Sequence, residues 1–169
     1  MQTTVKLYSL EYSDVKTYLA TSLFVLGNIV VPQLFHLVPK GGITWLPIYF
    51  FTLIGAYKYR WRVGLLTAIA SPLINSLLFG IPLVTGLPAI LLKSVLLAVF
   101  AGMAATRFKK ASLWMLLAVV LAYQVIGTLG EWIMKGDFYL AVQDFRIGVP
   151  GMLMQVFGGW GIINYIIHK

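Results

Sequence analysis

The chain has 169 residues, of which 60% are hydrophobic and only 11% charged, with a mean hydropathy of +0.88 and a formal net charge of +8. So little polar surface excludes an ordinary soluble domain and marks an integral membrane protein. A bilayer admits helices or closed barrels, and the alternating segments of about ten residues that barrels require are absent, so the expected class is an all-α integral membrane protein.

Residues 1–16, MQTTVKLYSLEYSDVK, are polar and amphipathic and lack the short apolar core and cleavage site of a signal peptide; the first span is therefore expected to stay in the mature protein. Six apolar stretches follow, at 17–37, 43–57, 63–83, 87–106, 112–132 and 147–167. Most are near the roughly 20 residues that a helical span requires, and the second is the shortest. Glycine, proline or charge breaks the chain between them, in VPKGG, YKYRWR, GIPLVTGLP, RFKKAS and MKGDFYLAVQDFR. The last connection is long enough for a short surface helix. No connection has room for a soluble domain, so residues 1–169 are expected to form a single six-transmembrane-helix bundle.

Charge orients that bundle, because cytoplasmic loops carry the excess of lysine and arginine. With the amino terminus inside, Lys6, Lys16, Lys58, Arg60, Arg62, Arg107, Lys109, Lys110 and Lys169 fall on the cytoplasmic side and only Lys40, Lys135 and Arg146 fall outside. The expectation is a multi-pass protein of a bacterial cytoplasmic (inner) membrane with both termini cytoplasmic. The basic excess is then a topogenic signal. Nucleic acid is not an expected partner, since the aromatics of YKYRWR read as interfacial anchors at a span end.

Polar residues inside the spans are the candidates for function. Lys93 interrupts GLPAILLKSVLLAVFAGMA, where a charge at the bilayer centre costs roughly 2.5–3.5 kcal/mol on insertion scales. It lies about 8 Å below the outer end of its span at 1.5 Å per residue. Asn75 falls toward the same outer half, Gln124 and Glu131 lie in the middle and at the outer end of the fifth span, Gln155 enters the sixth about two turns below Arg146, and Lys40, Trp45 and Arg146 border the outer side. An outward-opening cavity accounts for all of them. Three readings of Lys93 stay open: snorkelling along its own stem, a structural ion pair with Glu131, or a cation in a binding site. Gln124 and Gln155 are equally compatible with interhelical hydrogen bonding. Catalytic patterns are missing: there is no cysteine, no phosphate-cradling glycine loop and no serine beside a histidine base, so no enzymatic activity is expected. With only His36 and His168, at opposite ends, no imidazole metal site and no cofactor are expected.

One region carries a resemblance. In GGITWLPIYFFTLIGAYKYRWRVGLLTAIASPLINSLLFGIP, a proline-bearing span, a tight basic turn with an aromatic and a GLL-led helix rich in small residues resemble the substrate-binding S components of energy-coupling factor (ECF) vitamin transporters. Size, six spans, cytoplasmic termini and the outer polar cluster are similar to that family. The resemblance implies a subunit that captures a vitamin-like small molecule from outside, works with a transmembrane coupling subunit and two ABC ATPases, and binds with the outer parts of spans four to six under a lid formed by VPKGGITW. It implies substrate contacts from Lys93, Gln124, Glu131, Arg146 and Gln155, with Asn75, Trp45 and Lys40 beside them. The family's AxxxA pair in the first span is missing, because Phe24 follows Ala20. Thr17 with Thr21 in the first span and Ala101 with Ala105 in the fourth offer other small-residue pairs. The alternative from another class is a small structural membrane subunit, a scaffold resembling MreD-type proteins, with no ligand.

Overall fold

The structure, a computed structural model, describes residues 8, 10–109 and 111–166. Lys6, Lys110, His168, Lys169 and half of the 1–16 segment lie outside them. Among the described residues every regular element is helical. Helix α1 is Val15–His36, α2 is Gly41–Trp45, and a single 3-10 turn at Pro47–Tyr49 leads into α3, Phe50–Phe79. Then come α4, Leu87–Phe108, α5, Leu113–Lys135, and the short α6, Phe138–Ala141, and α7, Gln143–Arg146. A last helical run opens with α8, Val149–Leu153, widens into a π-helical turn at Met154–Gly158, passes through α9, Gly159–Gly161, and widens again at Ile162–Ile166. Among the described residues four segments are long and apolar enough to cross a membrane: Val15–His36, Pro47–Phe79, Leu87–Phe108 and Leu113–Lys135.

Local chemistry sets the boundaries. Pro88 sits in the first turn of α4, where its missing N–H has no helical partner to lose. Ser112 caps α5 by accepting from the Met115 N–H at 3.2 Å, and Gly136 ends that helix with φ +69°. Asp137 caps α6 through the Leu140 N–H.

Helix α3 is two limbs. Tyr59 (φ −112°, ψ 15°) and Arg60 (φ 63°, ψ −174°) leave helical geometry. Beyond them the chain doubles back, because a Cβ placed on Gly64 would lie 2.5 Å from the Ala56 Cβ. In one straight helix those residues would be about 12 Å apart along the axis. The first limb is short: from Pro47 to Lys58 it reaches only about 18 Å, against about 28 Å for the limb from Trp61 to Phe79. That deficit leaves space at one end of the bundle.

Close packing of α3 on α4 depends on small residues. Gly64 lies against Ala98, Gly102 lies against the Trp61 backbone, and Ala98, Ala101 and Ala105 are fully buried. Thr17 and Thr21 are buried as well, with the Thr21 hydroxyl donating to the Thr17 carbonyl at 2.8 Å. Both small-residue pairs named from the sequence are therefore used inside the bundle.

A polar layer ties α1 to both limbs of α3. Asn28 donates to the Thr52 hydroxyl at 3.0 Å and the Ser71 hydroxyl at 3.2 Å, and its Oδ1 accepts from the Phe51 N–H at 3.2 Å. Asn75 donates to the Asn28 and Ser71 carbonyls, each at 2.9 Å, and accepts from Gln33 at 3.3 Å. At one end of the bundle Arg62 meets Glu11 and the Leu10 carbonyl, Tyr8 stacks on Tyr59, and Asn164 donates to the Ala111 carbonyl. The other end holds the candidate site.

Candidate functional site

Lys93 projects from α4 toward α5 and is 2% exposed. The facing residue on α5 is Gly127, where an added Cβ would fall 2.5 Å from the Lys93 Cγ, so the glycine makes room for the lysine's stem. Its ammonium donates to Glu131 Oε2 on α5 at 2.5 Å and to Asp144 Oδ2 on α7 at 2.8 Å. Glu131 accepts a second cation, Lys135, one turn further along α5 at 2.5 Å. Two lysines and two carboxylates from three elements thus form one charge-balanced cluster. Pairing on this scale is what makes a buried ammonium tolerable in an apolar bundle.

The cluster borders a cavity of ≈ 400 Å³, within the size range of small-molecule sites. Its walls come from the end of α1, from α2 and the turn after it, from the 81–86 connection, from α4 and α5, and from the α6–α7 segment. The space is the one left by the short first limb of α3, since Leu46, Pro47, Ile48 and Tyr49 line it. Aliphatic residues, proline and glycine make up most of the lining, with His36, Tyr49, Gln143 and the charged cluster as convergent polar groups.

Of the residues expected at a site, the structure brings Lys40, Asn75, Lys93 and Glu131 to this cavity. Asn75 reaches it while its amide is occupied by the α1–α3 polar layer. Gln124, Gln155, Arg146 and Trp45 are not in the lining. Arg146 is exposed, with its guanidinium 3.8 Å from the centre of the Tyr139 ring. Trp45 is 37% exposed and packs on Phe35, ring centroids 5.6 Å apart. Gln124 and Gln155 are fully buried in a separate polar layer, where Gln124 donates to the Tyr123 hydroxyl at 3.0 Å and that hydroxyl donates to Gln155 Oε1 at 2.9 Å. The two layers adjoin, because the ring of Tyr123 lies 5.6 Å from that of the cavity residue Tyr49. Gln124 Oε1, Gln155 Nε2, Ser94 Oγ and Thr128 Oγ1 are buried with no partner. Gln155 falls inside the first π-helical turn, a distortion common at functional positions.

The cavity differs in place from the location expected between spans four, five and six: it draws on the first half of the chain as much as on α4 and α5, and none of its lining comes from residues 149–166. VPKGGITW does border it, as the last turns before and within α2. Sequence reasoning missed Asp144 and the pairing of Lys135 with Glu131. A usable signal for Asp144 existed: a buried lysine needs counter-charge, the chain has only five acidic residues, and Glu131, Asp137 and Asp144 are the three on the lysine's side. No protein-family profile, curated protein or solved structure matches this chain. Among the described residues no group of three metal-ligating side chains converges.

Proposed function

We propose that this protein is the substrate-capture subunit of an ECF-type importer, binding a vitamin-like small molecule and catalysing no reaction itself. The observation that carries the reading is the cavity of ≈ 400 Å³ floored by the Lys93–Glu131–Asp144 cluster. An apolar pocket with a few convergent polar groups is the usual form of a small-molecule site. In this reading six helices cross a bacterial inner membrane. They are α1, the two limbs of α3, α4, α5 and the run from Val149, with the short second crossing leaving the cavity open to the outside and both termini in the cytoplasm. The basic turn at Lys58, Arg60 and Arg62 and the α4–α5 connection with Arg107 and Lys109 then face inward, as the distribution of charge favours. A transmembrane coupling subunit and two ABC ATPases would supply the energy for uptake.

Two experiments test this. Single cysteines at Lys109 and Asp137, in a chain with none of its own, should react with an impermeant reagent from opposite sides, Asp137 from outside; labelling of both from one side removes the six-crossing topology. Cells making the chain alone should retain substrate without concentrating it, and co-expression of a coupling subunit with its ATPases should produce accumulation. Accumulation against a gradient by the isolated chain in liposomes would sink the proposal.

A second reading has one observation in its favour. The charged cluster is satisfied within the chain, which is what a helix-locking ion pair in a ligand-free MreD-like scaffold would require. That scaffold would co-purify with envelope proteins and carry no stoichiometric small molecule.

A further inference from the structure

The ion-pair cluster has two fixed members and one that belongs to a small, separate element. Lys93 is held along its stem in the niche made by Gly127, and Glu131 sits within the 23-residue α5. Asp144 is on α7, a four-residue turn with no buried residue of its own, and its side chain is 13% exposed at the cavity wall. If one contact of Lys93 is to be exchanged, that of Asp144 is the one whose release disturbs the least packing.

Charge decides what can replace it. The cavity lining carries three lysines, Lys40, Lys93 and Lys135, against two carboxylates, Glu131 and Asp144, an excess of one positive charge. Removing Asp144 from Lys93 without substitution leaves a buried cation short of a partner, which is strongly unfavourable. A neutral or cationic incomer cannot make up that loss, whereas an anion can. The remaining walls, among them Ile43, Ile48, Ile90 and Pro82, favour an apolar body behind the charge.

We infer that the cavity takes a small amphiphilic organic anion, and that Asp144 is an internal stand-in for its anionic group: the ligand's carboxylate or equivalent replaces Asp144 on Lys93 and frees α7 from the cavity wall. This rests on the capture reading for the cavity and adds the ligand class and the residue with which the ligand competes. Since α7 lies between α5 and the run from Val149, exchange at Lys93 also reports occupancy to the segment that joins them.

Chemical rescue tests the exchange without knowledge of the natural ligand. In purified full-length protein, Asp144→Ala should lower the unfolding temperature, and millimolar acetate or formate should restore at least half of the loss. Acetamide and chloride at equal concentration should restore none, and neither carboxylate should act on Lys93→Met/Asp144→Ala. Asp144→Ser, which leaves Lys93 a hydroxyl partner, serves in the same assay if the alanine variant does not fold. Absence of rescue, or equal rescue by acetamide, overturns the inference and leaves capture of a neutral ligand standing. Carboxylate-specific rescue in a protein that shows no partner-dependent uptake would instead uphold the anion site and remove the importer.

Discussion

The two halves of the bundle contain polar layers of similar make-up and opposite completeness. Around Asn28 and Asn75 the side-chain amides find partners on α1 and both limbs of α3, and none of those atoms is left over. Around Tyr123, Gln124 and Gln155 the same kinds of groups leave four buried atoms unpartnered, and next to them a lysine and two carboxylates face a cavity. A satisfied layer fixes helices to each other. An unsatisfied one has an energetic cost that packing alone does not explain, since each buried unpaired polar group costs about 1–3 kcal/mol. The first layer is thus read as assembly, and binding is proposed for the cavity, which the charged cluster and Asn75 of the first layer both line.

Breaking the charged cluster should have the largest effect on the empty protein. Lys93→Met leaves two carboxylates buried without their shared cation, and thermal unfolding should show a loss of about 3–5 kcal/mol. Adding Glu131→Gln and Asp144→Asn should recover much of it; no recovery would mean that the lysine acts through its stem and not its charge. On the other side, Asn28→Leu removes three hydrogen bonds. At about 0.6 kcal/mol for each such bond in a membrane interior, the expected loss is roughly 2 kcal/mol, with ligand affinity unchanged. A comparable loss of affinity would merge the two layers that the comparison separates.

A smaller change sharpens it. Gly127→Ala pushes a methyl against the Lys93 stem, and overpacking of this kind costs about 1–3 kcal/mol, expected here near the lower end because the lysine stem can shift. It should also slow carboxylate rescue of Asp144→Ala, because the ammonium is displaced. The smallest effect has the opposite sign. Thr128→Val replaces a buried hydroxyl that has no partner by a methyl of the same shape, and should stabilise by up to about 1 kcal/mol. Destabilisation by that variant would show that the hydroxyl has a partner, such as a buried water.

Much of the architecture follows from residues whose physics is local. Lys58, Arg60 and Arg62 mark the reversal in α3, Gly136 and Asp137 mark the end of α5, and the apolar runs give α1, α4 and α5 within a few residues. The pairing of Lys93 with Glu131 was also within reach, because two opposite charges at matched depth on adjacent helices have few other partners. What the chain could not announce is set by tertiary packing. The place of Asp144 depends on how a four-residue turn folds back over α4, and the breadth of the cavity depends on a first limb of α3 that stops short. Gln124, Gln155 and Arg146, which the resemblance groups with Lys93, do not line the cavity for a related reason: depth along a helix can be counted from sequence, whereas the face that a glutamine presents is decided by neighbours such as Tyr123.

The central proposal is that the cavity beside Lys93, Glu131 and Asp144 holds a small molecule. Native mass spectrometry of the gently extracted protein tests it most directly. The account predicts one small organic anion per chain, present in the wild type and in Asn28→Leu and absent from Lys93→Met. A wild-type protein that carries no small molecule, and leaves the membrane only with envelope proteins attached, would contradict it.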